Sequence, residues 1–300
     1  AGRAILLGKL VELGLDRGCK AVSGCGHGAL LARWAGSMPG CSWLSSVMER
    51  DDLYPDANII RHKKRSQADY ESHGDGPLMD AVSEHFERHV GPIWKVLHEI
   101  KSDQVHIDVY IIKADEQRPY HVLFTTGMAE LPMTTPDGAE DWRYAEVMIK
   151  LPADWPLEFD KEDFRRDEAE VERWYWPIRL LKDLARLPHE FHTWLSYGHS
   201  MPNGDPPQPY SDGATMCGTL LVPPLIDSEG FETVHVEDGR TVHLWQVMPM
   251  GPGEIEHKLT KGTDSLLELF DTMRVSDVVD PNRLDVTGAR PRRKRFFGLF

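Results

Sequence analysis

The pattern of apolar and polar positions becomes regular near residue 75. Leu78, Val82 and Phe86 recur at the spacing of one helix face, and Asp75 and the following Gly-Pro step mark the start of that helix. Later segments instead alternate apolar and polar residues, or form short apolar runs, which predicts β-strands. The predicted strands are 105–111, 120–126, 144–151, 215–222, 231–236 and 241–248.

The longest helix signal begins at Trp176. Pro177 stands at the predicted first helical position, where its missing N–H removes no hydrogen bond, and Pro188 is expected to break or kink the helix. The preceding residues 155–173 are acidic and lack a core pattern, which predicts a loop with a short helix. The apolar face consists of Ile178, Leu181, Leu184 and Ala185.

Runs of strands with helices between and after them, and no repeating βαβ unit, predict the α+β class. The expected architecture is a mixed sheet with helices packed on it, over about residues 75–285. The chain has 300 residues with 41% hydrophobic and 27% charged positions, which is ample for a core. No window approaches the roughly 18 unbroken apolar residues of a membrane helix, so we expect no membrane span.

Charge is unevenly distributed along the chain. The net charge is −14, and five basic residues lie close together near the C-terminus, so the rest of the chain carries −19. Such an acidic body repels phosphate backbones, which argues against general nucleic-acid binding. The four cysteines include no Cys-x-x-Cys pair, so we expect reduced thiols and a cytoplasmic location. The five basic residues are Arg290, Arg292, Arg293, Lys294 and Arg295.

Both ends of the chain differ from its middle. Residues 1–55 are rich in Gly, Ser and Cys, and their lack of an initiator Met indicates a fragment or an internal start. The glycine cluster at 23–28 does not have the spacing of a phosphate-binding loop. The other candidate, a zinc site, lacks close ligand pairs; its residues are Cys19, Cys25, His27 and Cys41. A poorly defined segment is favoured over both the phosphate-binding loop and the zinc site.

The basic and aromatic tail 288–300 could contact an anionic membrane or RNA, but a frayed terminus is favoured.

Two sets of residues could carry catalysis. His189, His192 and His199 could form a metal-dependent hydrolase site, but their spacing differs from His-Glu-x-x-His, and polar groups at a helix end are favoured. Asp108 and Glu146 could act as acid and base, although the alternation around Asp108 favours the solvated face of its strand.

No catalytic residue, bound metal or cofactor is expected from the remaining patterns. The chain contains no Gly-x-Ser-x-Gly elbow, and Cys217 lies in an apolar strand, where packing as a small hydrophobe is favoured. Aromatic residues are dense around the long helix, where core packing and interface anchoring are both possible roles. They are Trp174, Tyr175, Trp176, Trp194 and Tyr197, of which Tyr197 is the one most expected at a surface.

Five blocks in order resemble the suppressor-of-fused (SUFU) domain family, and the bacterial branch most closely. They are Val-His-Ile-Asp-Val at 105–109, Phe-Thr-Thr-Gly-Met-Ala-Glu-Leu-Pro-Met at 124–133, Tyr-Ala-Glu-Val-Met-Ile-Lys-Leu-Pro at 144–152, the segment 176–199, and Met-Cys-Gly-Thr-Leu-Leu-Val-Pro-Pro at 216–224. Residues 254–271 are similar to the closing helices of the family. The resemblance places a SUFU-like domain over 60–287.

The resemblance implies a compact α+β fold without known catalytic residues. Animal members restrain a transcription factor by taking an extended peptide between two lobes, and bacterial members often accompany toxins as immunity proteins. This chain has no match to the second lobe of the animal proteins. We therefore expect a non-enzymatic protein that sequesters a protein partner, such as a basic toxin. The expected partner contacts are Tyr197, His199, Trp194 and Asp108.

Overall fold

The computed structural model describes residues 76–99, 104–159 and 167–288. Its helices are α1 (Gly76–His89), α2 (Glu168–Phe191), α3 (Pro252–Lys261) and α4 (Thr263–Met273). Its strands are β1 (Lys95–Leu97), β2 (Asp108–Ile112), β3 (Tyr120–Thr126), β4 (Ala145–Pro152), β5 (Ser200–Pro202), β6 (Gly218–Val222), β7 (Thr233–His235) and β8 (Thr241–Met250). Short 3-10 helices span Met128–Glu130 and Glu140–Trp142. The predictions for 1–55 and 290–300 lie outside the described residues.

All eight strands belong to one mixed sheet. Its order is β1-β2-β3-β4-β8-β6-β5, and β7 also pairs with β8. Neighbours are antiparallel except β4 and β8, which run parallel with Ala145 opposite His243 and Met148 opposite Gln246. The predicted α+β class and mixed sheet are therefore confirmed, as is the β7–β8 hairpin, in which Val234 faces Val242.

Helices cover both faces of the sheet. On one face, the apolar stripe of α2 packs against alternate residues of the central strands, as the period-two geometry of strands requires. On the other face, α1 covers β2 to β4, and the rings of Phe86 and Phe124 stack with centroids 3.7 Å apart. On that same face, α3 and α4 cover β6 and β8, where Cys217 packs in the core as predicted.

Polar side chains in the central strands bind irregular chain segments. The Lys150 ammonium donates to Asp277 Oδ2 at 2.5 Å and to the Leu225 carbonyl at 2.7 Å. The Gln246 amide accepts from Leu225 N–H and donates to the Asp277 carbonyl. These bonds give partners to the Lys150 and Gln246 side chains, which are buried in the sheet.

Helix α2 differs from its prediction at both ends. It begins at Glu168 rather than Pro177, because the Asp167 side chain accepts a hydrogen bond from Glu170 N–H and caps the helix. It also continues through Pro188 to Phe191. Pro188 lacks the N–H of one helical hydrogen bond, but only three helical residues follow it, and its own carbonyl accepts N–H groups from the turn beyond them.

Gly127 provides a test of the close backbone approach beside β3. Its φ is +103°, and a Cβ at this position would lie 1.8 Å from the His106 carbonyl oxygen. We predict that Gly127→Ala lowers the free energy of unfolding by more than about 4 kcal/mol, through backbone displacement and strain. Urea unfolding would measure the change.

Gly138→Ala is the matched control. Its φ of +85° imposes similar strain, but a Cβ there meets nothing within 4 Å. Its expected loss is about 1 kcal/mol. Equal losses in the two variants would contradict the steric explanation.

Candidate functional site

The loop that joins α2 to β5 carries three of the four predicted contacts. His192 ends α2 in the left-handed region, with φ of 51°, and its N–H donates to the Pro188 carbonyl. The chain then turns, so that Trp194, Tyr197 and His199 lie together on this loop, each half-buried. We call residues 192–199 the contact loop.

His199 is held as a neutral imidazole. Its ring contacts Trp194 edge to face, with centroids 4.8 Å apart, and Nδ1 is buried without a hydrogen-bond partner. Burial, and to a smaller extent the nearby Lys258 charge, lower the pKa of His199 to about 4, although a backbone hydrogen bond at Trp194 opposes this shift. Burial also lowers the pKa of Lys258, to about 8.

Tyr197 and Gly198 fix the contact loop to the start of α4. The Tyr197 hydroxyl donates to Asp264 Oδ1 at 2.9 Å. Thr263 Oγ1 donates to the Gly198 carbonyl at 3.4 Å. A Cβ on Gly198 would lie only 3.0 Å from Thr263 Oγ1. The aromatic side chains are therefore presented from a loop whose backbone is braced on the protein.

Strand β5 follows the contact loop at one edge of the sheet. It pairs with β6, and within residues 76–99, 104–159 and 167–288 no strand pairs with its other side. A cavity of about 90 Å³ lies beside it, between Asp183 of α2 and Met201 of β5. Burial raises the pKa of Asp183 to about 7. The Tyr210 hydroxyl, whose ring stacks on Trp176, is buried without a hydrogen-bond partner.

Asp108 lies elsewhere in the molecule. The sheet order places four strands between β2 and β5. At the usual spacing of neighbouring strands, β2 and β5 are therefore about 24 Å apart. The expectation that Asp108 occupies a solvated face is wrong, because its side chain is 1% exposed. His98 and His106 contact its two carboxylate oxygens, at 2.7 and 3.1 Å, and Glu99 N–H donates to Oδ1.

The structure does not assemble the three histidines of the hydrolase hypothesis. His189 is buried, with Nε2 2.8 Å from the Met128 carbonyl, whereas His192 is exposed at the helix end and His199 packs on Trp194. In the described part of the chain, one group of three potential ligand atoms lies within 4.8 Å, and it does not include these residues.

Glu146 has a structural position rather than an accessible one. Its buried carboxylate accepts hydrogen bonds from Thr125 Oγ1 at 2.6 Å and from Ala129 N–H at 3.0 Å. The backbone at Gly127 and Met128 also donates to it, so it caps the 3-10 helix, while burial raises its pKa to about 7. Because the Glu146 side chain is fully buried, a substrate cannot reach its carboxylate.

A protein-family model described as Suppressor of fused protein (SUFU) matches residues 103–284, which is more than half of the chain. The chain belongs to the SUFU family. The five residue blocks that carried the resemblance all lie inside this match. The predicted domain limits of 60–287 remain a prediction. No curated protein sequence matches the chain.

Solved SUFU structures resemble this chain in fold. A SUFU homolog from Neisseria gonorrhoeae FA 1090 has a TM-score of 0.50 at 14% identity, over 70% of this chain and 96% of that chain. A Sufu-Fu complex has a TM-score of 0.46 at 14% identity, over 69% and 90%. Drosophila Suppressor of Fused has a TM-score of 0.45 at 14% identity, over 70% and 51%. At such identity, the Neisseria structure supports the fold alone.

Several residues near these sites of the SUFU chain have weak or no signals in the sequence. His98 and His106 meet Asp108, and a signal existed, because His106 and Asp108 are two apart next to a strand and can share a face. Asp264 and Asp183 gave no such signal, since their partners are distant in sequence.

None of the helices among the described residues is long and apolar enough to cross a membrane.

The depressed pKa of His199 gives a prediction about pH. As pH falls, His199 of the unfolded chain, with a pKa of about 6.5, binds a proton before His199 of the folded chain, whose pKa is about 4. The neutral form therefore stabilises the fold above about pH 6.5, and this contribution is lost as pH falls towards 4. We predict that the stability advantage of wild type over His199→Gln shrinks by about 3 kcal/mol across this window.

Urea unfolding of both proteins at several pH values measures this difference. Comparing the two proteins cancels the titration of the other buried groups, including Glu146. A difference that stays constant between pH 4 and 6.5 would show that His199 is not buried as a neutral imidazole.

Proposed function

We propose that this SUFU member is a non-enzymatic binding domain that holds another protein at the contact loop and β5. The observation that carries the proposal is the juxtaposition of half-buried Trp194, Tyr197 and His199 with a strand at the edge of the sheet. SUFU proteins are generally non-enzymatic regulators, which agrees with this role.

The chemistry of the surface fits protein recognition. Tyrosine and tryptophan bury a large area with little loss of rotamer freedom, which is why they dominate binding energies. The bond between Tyr197 and Asp264, and the contact between His199 and Trp194, hold these rings in place before binding. Such pre-organisation reduces the entropy lost on association. Backbone groups of β5 that face away from β6 could pair with an extended segment of the partner.

Asp108 belongs to a different surface from the other three predicted contacts. A partner at that edge of the sheet would meet His98 and His106, which lie over the buried Asp108 side chain. We therefore assign the main binding surface to Trp194, Tyr197 and His199, and treat Asp108 as a separate contact.

The proposed setting is the bacterial cytoplasm, with neutralisation of a toxin as the specific role. The net charge of −14 supports a basic partner, because opposite charges raise the association rate. An immunity protein must capture its toxin before the toxin acts, so fast association is a functional requirement of this role.

A pull-down from native cell lysate, analysed by mass spectrometry, tests the binding surface. We predict that wild type retains one stoichiometric protein and that Tyr197→Ala/His199→Ala binds it at least about 30-fold more weakly, as expected for anchors worth about 2 kcal/mol. Trp94→Ala is the matched control, because this tryptophan is 38% exposed and precedes β1 at the other edge.

Circular dichroism must show that the double variant is folded, because His199 contributes to packing. If it is unfolded, Met201→Lys on β5 replaces it and places a charge at the same edge. Equal binding by wild type and a folded contact-loop variant would refute the assigned surface.

The toxin role makes a prediction about salt. The association rate of the captured partner should fall steeply as ionic strength rises, because surface charges are screened within about 8 Å at physiological salt. Stopped-flow or surface-binding kinetics would measure it. An acidic partner, or a rate independent of salt, would exclude the basic toxin while leaving protein binding intact.

A further inference from the structure

Three potential metal ligands meet between the end of β1 and the start of β2. One nitrogen each from His98 and His106 and one oxygen of Asp108 lie within 4.8 Å of one another. The separations from the carboxylate are 2.7 Å to His98 Nδ1 and 3.1 Å to His106 Nε2. The cluster lies apart from the contact loop and shares no residue with the hydrolase hypothesis.

One ligand of the cluster is buried and fixed in position, and the other two are more accessible to solvent. Asp108 is 1% exposed, His106 is 20% exposed and His98 is 70% exposed, so accessibility rises from the strand towards solvent. The position of Asp108 is set by the pairing of β2 with β3 and by the hydrogen bond from Glu99 N–H. A cation can therefore enter from solvent and meet a buried carboxylate.

The ligand types and spacing suit a zinc-class ion. Two imidazole nitrogens and one carboxylate oxygen are a common protein ligand set for Zn²⁺, with the fourth tetrahedral position left for water or another donor. Ligand atoms around tetrahedral zinc are about 3.3 Å apart, given bonds of about 2.0 Å. The two separations between histidine nitrogens and carboxylate oxygens, 2.7 and 3.1 Å, are close to that value.

Lys182 of α2 is the competing cation. Its ammonium is attracted to the Asp108 carboxylate, so it partly neutralises the charge that would attract a metal. In the absence of metal, the two imidazoles and Glu99 N–H contact the buried carboxylate. A bound dication would be repelled by Lys182, which makes this residue a sensitive reporter of metal binding.

We propose that His98, His106 and Asp108 form a binding site for a divalent ion of the Zn²⁺ class. The ion holds the two imidazoles on the buried carboxylate, and its open position accepts water or a donor from another molecule. This proposal does not depend on protein binding at the contact loop.

Isothermal titration of the metal-stripped full chain with ZnCl₂ tests the site. The chain also carries thiols in residues 1–55, so the titration uses a Cys19→Ser/Cys25→Ser/Cys41→Ser background. We predict one Zn²⁺ per chain, at least about 10-fold weaker binding in His98→Ala and in Asp108→Asn, and tighter binding in Lys182→Met. His235→Ala, which removes an exposed histidine of β7, should bind as the background does.

His98→Ala keeps the test valid if Asp108→Asn fails to fold, because His98 is largely exposed. Substitution with Co²⁺ gives a second readout, since a tetrahedral site produces visible absorption that should disappear in His98→Ala. Absence of binding in the background, or binding that is unchanged in both His98→Ala and Lys182→Met, would overturn the proposal.

Discussion

The parallel pairing of β4 with β8 is the constraint on which the rest of the structure depends. It joins two antiparallel halves, β1 to β4 and β8 with β5 to β7, into one sheet. A parallel pair requires a long crossover, and α2 supplies much of it by packing against apolar residues from both halves. The junction is thus buried on both faces, so its polar side chains, Glu146, Lys150 and Gln246, must be paired. Each of them binds backbone outside the sheet.

This arrangement also determines where the candidate sites lie. The crossover must return from α2 to the sheet, and the turn that does so is the contact loop, which leads directly into β5 at the sheet edge. Residues on this loop are braced by Asp264 and Thr263 of α4. The histidine and aspartate cluster lies near the opposite edge. The two candidate sites therefore share no residue and lie on different strands.

Much of the fold follows from periodicity alone, including α1, the central strands and the β7–β8 hairpin. Periodicity places the start of α2 wrongly, because the Asp167 cap and Glu170 lie in an acidic stretch whose pattern predicts a loop. The alternation of apolar and polar residues predicts that Asp108 lies on a solvated face of the sheet. That prediction assumes that nothing covers the face, whereas His98 and Glu99 cover the Asp108 carboxylate. The aromatic residues and the resemblance to SUFU predict Trp194, Tyr197 and His199 as partner contacts, but the hydrogen bond from Tyr197 to Asp264 depends on long-range contacts that no local pattern shows.

Hydrogen–deuterium exchange on the chain with and without its captured protein partner tests the central claim most directly. Backbone amides report burial by a partner without any substitution that could disturb folding. Slowed exchange across residues 194–202, with unchanged exchange across residues 95–112, is the result that the proposed binding surface predicts. Protection confined to residues 95–112, or to another part of the sheet, with residues 194–202 unchanged, would contradict it.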